Sequence, residues 1–225
     1  VAKPAAIAFD AYGTLLDVAS LGSELANLDG AARQRFVALW RSKQLEYTWL
    51  RTLMGRYVDF ESVSGEALRY AMKSMDIGEK EFDRLMDGLR KIHCFPEVQS
   101  ALAGLKSKVP RLAILSNGTP GMLTSALEAN GIQGYFETVL SVDAVRRYKP
   151  DPRVYDMATR HFRARPRELL FVSSNGWDIC GAASCGLTTA WCNRSRATFD
   201  ELGYSPDIEV RSLDELAGKI DLVMT

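Results

Sequence analysis

The chain has 225 residues, with 28 Lys+Arg against 28 Asp+Glu, 47% hydrophobic and 25% charged. This composition excludes a disordered, collagen-like or coiled-coil chain, and zero net charge gives no general pull toward nucleic acid or anionic lipid. A chain this long buries roughly 70% of its unfolded surface, enough for one large core and a smaller appended unit.

The N-terminus reaches Asp10 after only a few apolar residues and has no hydrophobic signal core, and its start at Val1 is expected to be a trimmed end. No stretch approaches the roughly 18 apolar residues of a membrane span, so no membrane partner is expected. The first apolar run, Ala5-Ala6-Ile7-Ala8-Phe9, ends at Asp10 and reads as a buried parallel strand. No further strand reads from about Leu16 to Pro96. There Phe36, Trp40, Tyr47, Leu50, Met54 and Tyr57 fall at three- to four-residue steps, broken at Lys43, and predict one long amphipathic helix. Glu66–Met75 and Glu79–Leu89 read as further helices. Roughly eighty helical residues are too many for a connecting loop and predict a separate helical cap.

Beyond Phe95-Pro96 strands and helices alternate. Strands are expected at Leu112–Leu115, Thr138–Leu140, Leu169–Val172, Thr188–Trp191 and Ile208–Val210, and helices at about Thr119–Asn130, Arg153–Phe162 and Trp177–Cys185. The expected fold is α/β, a doubly wound parallel sheet of Rossmann-like type with an inserted helical cap subdomain. The core would span 1–15 plus 97–225, and the cap 16–96. Cys94, Cys180, Cys185 and Cys192 lack CxxC spacing, and with only His93 and His161 beside them they read as reduced thiols of a cytoplasmic protein, not a zinc site.

Ligands of an open parallel sheet bind beyond the carboxyl ends of its strands. Asp10-Ala11-Tyr12-Gly13-Thr14 follows the first run and Ser116-Asn117-Gly118-Thr119 the second. Ser141-Val142-Asp143 and then Tyr148-Lys149-Pro150-Asp151 follow the third, and Ser173-Ser174-Asn175-Gly176-Trp177-Asp178 the fourth. Each has a plainer explanation: a turn cap for Asp10, an N-cap for Ser116–Thr119, a solvated loop lysine for Lys149, and a favourable helix-dipole position for Asp178. Only their joint arrival at one sheet edge points to a site.

These residues carry a resemblance. Phe9-Asp10-Ala11-Tyr12-Gly13-Thr14-Leu15 resembles the first motif of the haloacid dehalogenase superfamily, and Ser116-Asn117-Gly118, Lys149-Pro150 and Ser173-Ser174-Asn175-Gly176-Trp177-Asp178 resemble its remaining motifs. The stretch from Trp40-Arg41 to Leu50-Arg51 is similar to the cap of the L-2-haloacid dehalogenases, and the similarity runs from Ile7 to about Leu216. Phosphatase relatives place a second Asp two residues after the nucleophile, and paired acids in the last motif, to hold Mg²⁺. Tyr12 and the single acid Asp178 stand there in this chain, so no metal or cofactor is expected, and a Mg-dependent phosphatase is the alternative reading.

The resemblance implies hydrolysis of short (S)-2-haloalkanoic acids to (R)-2-hydroxy acids and halide, with inversion. Asp10 would form the ester, Thr14 and Ser173 would orient its oxygens, and Lys149 would keep it charged. Ser116 and the N–H groups of Ala11, Tyr12 and Asn117 would hold the substrate carboxylate. Arg41, Asn117 and the edge of Trp177 would receive the halide, while Leu45, Phe60, Tyr12 and Trp177 enclose the alkyl group. Asp178, with Asn175 and Lys149, would activate water, supported by Tyr155. Close members often carry Gln after the halide-binding Arg, where this chain has Ser42. A homodimer is also implied.

Overall fold

A computed structural model describes residues 4–25 and 28–220. Val1 and Thr225, the outer ends of the expected core, lie outside the described residues.

Six strands form one parallel sheet: β1 (Ala6–Phe9), β2 (Leu112–Ser116), β3 (Thr138–Ser141), β4 (Leu169–Ser173), β5 (Thr188–Cys192) and β6 (Ile208–Val210). Their order is β3-β2-β1-β4-β5-β6, every neighbouring pair being parallel. All six apolar runs read from the sequence are therefore strands. β1, β2 and β4 are buried throughout, which is why they read as continuous apolar runs without alternation. At the two edges the pattern loosens, with Val139 of β3 and Glu209 of β6 exposed.

β1 lies in the middle, and the chain winds outward from it in both directions, first to β2 and β3 and later to β4, β5 and β6. That reversal of winding opens a crevice beyond the carboxyl end of β1. Asp10 is the next residue.

The helices between β1 and β2 are α1 (Gly30–Leu53), α2 (Phe60–Ser74), α3 (Phe82–Arg90) and α4 (Val98–Lys108). The remainder are α5 (Pro120–Ala129), α6 (Pro152–Phe162), α7 (Gly176–Ser184) and α8 (Leu213–Lys219). Asp29 caps α1 by accepting from Ala32 N, and Asp59 caps α2 by accepting from Ser62 N. α2 thus begins six residues before the expected Glu66. α4 and α8 have no counterpart among the expected elements. Among the described residues no helix is long and apolar enough to cross a membrane.

α1 corrects the expected apolar stripe. The helix stops at Leu53, short of Tyr57, and Leu50 and Met54 are 42% and 62% exposed. Its buried side chains are Ala32, Phe36, Trp40, Gln44 and Thr48, at steps of four residues. The break at Lys43 is therefore no break: the buried face runs on one position later, through polar residues.

The buried apolar side chains of the sheet and of the helical segment form one continuous cluster. Two chain crossings join the segment to the sheet side by side, with Leu16 bridged to Cys94, Asp17 N donating to His93 O and Phe95 N to Leu15 O. Further along, a row of rings ties α2 to the loop before α6. Tyr12 and Phe60 have centroids 5.6 Å apart, Phe60 and Tyr148 6.1 Å, and Tyr148 and Tyr57 5.1 Å. Tyr148 also donates through Oη to Val58 O at 2.7 Å and through N to Thr52 Oγ1 at 3.1 Å.

Candidate active site

The site grows from the turn after β1. Gly13 has φ +94°, a left-handed backbone that L side chains avoid, and there the chain folds back so that the N–H groups of Thr14, Leu15 and Leu16 converge on Ala11 O. None of these bonds uses the N–H of Ala11 or Tyr12. The turn brings Thr14 over Asp10, and Thr14 Oγ1 donates to Asp10 Oδ2 at 2.9 Å.

Asp10 is buried and receives two further donors. Asn175 Nδ2 donates to Oδ2 at 3.0 Å and Lys149 Nζ to Oδ1 at 3.1 Å. Asn175 stands at the N-cap position of α7, yet its side chain makes no cap bond, and its amide is turned to Asp10 instead. Ser173 does not reach Asp10. Its hydroxyl accepts from Asn175 N at 3.1 Å, so it holds the residue that holds the carboxylate.

Lys149, only 1% exposed, lies between two acids, with Nζ also 2.9 Å from Asp178 Oδ2. Burial alone would lower this ammonium, but Asp10 and Asp178 together outweigh it and hold it above the ordinary lysine range. Asp178 is fully buried in the first turn of α7, and Tyr155 of α6 donates to its Oδ1 at 2.6 Å. Burial pushes the Asp178 carboxyl above the usual aspartate range, Lys149 pulls it down, and the charge of Asp10 raises it. A dipole position alone would not bury this side chain or give it two partners.

Ser116 and Asn117, at the end of β2, are buried but do not cap α5. Thr119 does so, accepting from Met122 N at 3.2 Å. Ser116 Oγ accepts from Gly118 N at 3.1 Å, and Asn117 Oδ1 accepts from Lys149 N at 3.1 Å. The amide therefore fixes the backbone of the lysine.

Opposite this edge, Arg41 of α1 reaches across to donate from Nη2 to Tyr12 O at 3.0 Å, and from Nη1 to Gln44 Oε1 at 2.6 Å. Burial lowers its proton affinity, while Asp10, Tyr12 and Asp178 oppose that, and a guanidinium stays charged under any such shift. Phe60, fully buried, packs against Tyr12. Leu45 is half-buried, as is Trp177, whose ring meets Trp49 edge to face at 5.4 Å; Ser42 is exposed on α1. An apolar cavity of about 460 Å³ opens here, walled by Trp49, Leu53, Tyr148, Lys149, Trp177 and Leu202. Tyr12 Oη and Trp49 Nε1 are buried without a hydrogen-bond partner among the described residues.

In sequence and fold the chain is similar to a known group of enzymes. A family model for haloacid dehalogenase-like hydrolases matches residues 4–186. The chain belongs to that family. Among relatives of this haloacid dehalogenase-like chain, the (S)-2-haloacid dehalogenase of Pseudomonas sp. (strain YL) is 43% identical over 209 residues, covering 92% of this chain and 90% of its own. Haloacetate dehalogenase H-2 of Moraxella sp. (strain B) is 42% identical over 216 residues, covering 95% of this chain and 96% of its own. A solved structure of L-2-haloacid dehalogenase from Xanthobacter autotrophicus, with chloropropionic acid covalently bound, superposes with a TM-score of 0.89 at 32% identity, covering 98% of this chain and 99% of that one.

Magnesium, which many haloacid dehalogenase-like hydrolases would need, does not suit these residues. It requires several hard oxygen ligands. Here the position two residues after Asp10 is a tyrosine whose phenol is pushed well above its ordinary value by burial. Both site carboxylates already face one ammonium. Among the described residues no group of three or more His, Cys, Asp or Glu side chains could hold a metal ion.

Sequence reasoning missed two supports. Arg194, beyond β5, donates to Thr14 O at 3.0 Å and to Ser174 Oγ at 3.1 Å, bracing the turn that aims Thr14. No local pattern marks it. Gln44, the partner of Arg41, was open to discovery by stepping four residues on from Phe36 and Trp40.

Proposed function

We propose that the chain hydrolyses short (S)-2-haloalkanoic acids to (R)-2-hydroxy acids and halide, with inversion and through an ester on Asp10. The observation that carries this reading is the setting of Asp10, a buried carboxylate with three donors at the switch point of the sheet, facing a helix-borne arginine. Of the roughly four lone pairs on a carboxylate, two on Oδ2 and one on Oδ1 are engaged, which leaves Oδ1 free to attack.

Oδ1 attacks C2 from the side opposite the halogen, the C–O bond forms, and the halide departs with the C–X electron pair. Ser116, with the N–H groups of Ala11, Tyr12 and Asn117, holds the substrate carboxylate, and fixing it decides which enantiomer presents its back face. Arg41, with Asn117 and the edge of Trp177, meets the charge that develops on the halide in an apolar pocket walled by Leu45, Phe60, Tyr12 and Trp177. Water then adds to the ester carbonyl of Asp10, giving its proton to Asp178. The bond between that carbonyl carbon and Oδ1 breaks, the departing alkoxide takes the proton back from Asp178, and the hydroxy acid leaves with an oxygen that came from Asp10, whose new carboxyl loses its remaining proton to solvent. A raised carboxyl suits a base, and Tyr155 and Lys149 keep it aimed.

In this reading 16–96 serves as a cap over a core of 1–15 plus 97–225, and no metal takes part. The four free thiols accord with a reducing cytoplasm. A homodimer is proposed as well, with the exposed Leu50, Leu53 and Met54 available as contact surface. No nucleic acid or membrane partner is invoked.

A single turnover with excess enzyme in ¹⁸O-water and excess EDTA tests the mechanism. The first product is expected to be unlabelled while Asp10 gains the label. Label in that first product would mean direct attack by water, and loss of turnover in EDTA would restore the metal-dependent reading.

A further inference from the structure

We infer that Gln44 is a positioning residue for Arg41, acting through a buried relay that runs to Ser64 and the carbonyl of Phe60. The inference rests on the reading of Arg41 as the halide's cation.

Gln44 is 0% exposed, and an amide is buried without penalty only if its groups find partners. It finds them in series. Arg41 Nη1 donates to Gln44 Oε1 at 2.6 Å, Gln44 Nε2 donates to Ser64 Oγ at 2.6 Å, and Ser64 Oγ donates to Phe60 O at 2.6 Å. Trp40 Nε1 pins the Ser64 carbonyl at 3.2 Å. The relay has one direction. The guanidinium can only donate and the Phe60 carbonyl can only accept, so the amide must turn its oxygen to Arg41 and its nitrogen to Ser64.

With Nη1 held by Gln44 and Nη2 held by Tyr12 O, the plane of the guanidinium is fixed from two sides, one on α1 and one on the sheet. Its remaining N–H groups are left for an anion. A glutamine accepts the bond without adding charge, so the full positive charge of Arg41 stays available to the departing halide. A carboxylate in its place could still accept from Arg41, but it has no N–H for Ser64 and it would cancel that charge. The relay also ends on Phe60, a wall of the pocket, so the cation and the wall are set by one chain of bonds.

The test compares Gln44→Met, Gln44→Glu and Ser64→Ala with Arg41→Ala as reference. The readouts are kcat/KM on (S)-2-chloro- and (S)-2-bromopropionate, inhibition by chloride and bromide, and thermal melting. Gln44→Met should lose about tenfold or more in kcat/KM and weaken halide inhibition by a similar factor. Its bromo-to-chloro rate ratio should rise, because the poorer leaving group needs the cation more. Gln44→Glu should melt below the parent, and halide should inhibit it more weakly still. Where Gln44→Met melts too low to assay, Ser64→Ala carries the comparison with the same signs and a smaller size.

Unchanged halide inhibition and an unchanged bromo-to-chloro ratio, beside an inactive Arg41→Ala, would reduce Gln44 to a packing residue and overturn the inference alone. Parental rates and halide inhibition in Arg41→Ala would instead overturn the halide reading, and this inference with it.

Discussion

The two sides of the site are built differently. On the sheet side each carboxylate is held by at least two neighbours: Asp10 by Thr14, Asn175 and Lys149, and Asp178 by Lys149 and Tyr155. On the helical side a single cation, Arg41, is carried on α1 and touches the sheet side through one bond, to Tyr12 O. The sheet side is a buried set of charges in which two carboxylates share one ammonium, so disturbing it disturbs the fold. The helical side adds one charge to a face that is otherwise packed, so its loss should be felt first in chemistry and less in stability than a loss on the sheet side.

Lys149→Met is expected to give the largest effect and would break this contrast if mild. It leaves two buried carboxylates without their ammonium, which should abolish halide release and cost about 3–5 kcal/mol in urea unfolding at neutral pH. The gap should narrow as pH falls, because protonating one carboxyl relieves the variant while weakening the ion pairs of the parent. Arg41→Ala should lose roughly 10²- to 10³-fold in kcat, as removal of one preorganised donor to a developing anion does, with a loss of stability of about 1–3 kcal/mol from the orphaned Gln44 Oε1, smaller than that of Lys149→Met. A loss as large as that of Lys149→Met would show that the helical side is as tightly held as the sheet side.

Tyr155→Phe should be the mildest of the three and sharpens the picture within the sheet side. Asp178 must be ionised to take a proton, so activity falls as pH drops through its pKa. Removing a donor to that carboxylate raises the pKa further, and the acid limb of the kcat profile should move to higher pH while the alkaline side stays put. A limb that stays where it was would separate Asp178 from the proton transfer.

The contrast also explains what was legible in the sequence. Buried parallel strands are short apolar runs, and a ligand edge is whatever polar residues follow them, so β1 to β6 and the residues from Asp10 to Asp178 could be read in order. The helical side follows a weaker code. Tyr47, Leu50, Met54 and Tyr57 suggested one stripe on α1, whereas the buried face passes through Gln44 and Thr48. An apolar count cannot see a buried amide that is satisfied by partners 20 residues away. The start of α2 is hidden for the opposite reason: its marker is the Asp59 cap, which apolar spacing does not register.

The sequence by itself determined the order of the strands' apolar runs, the helical insertion after the first, and the set of polar residues delivered to one edge, because these depend on local hydrophobicity and on turns. Which partner each polar group would take was decided only by the tertiary structure. Asn175 could have capped α7, Ser173 could have met Asp10, and Ser116 could have capped α5. Hydrogen bonds are satisfied by whatever donor or acceptor the fold brings within about 3 Å, and the residues that meet here, Asp10 with Lys149 and Arg41 with Tyr12, lie 139 and 29 positions apart in the chain.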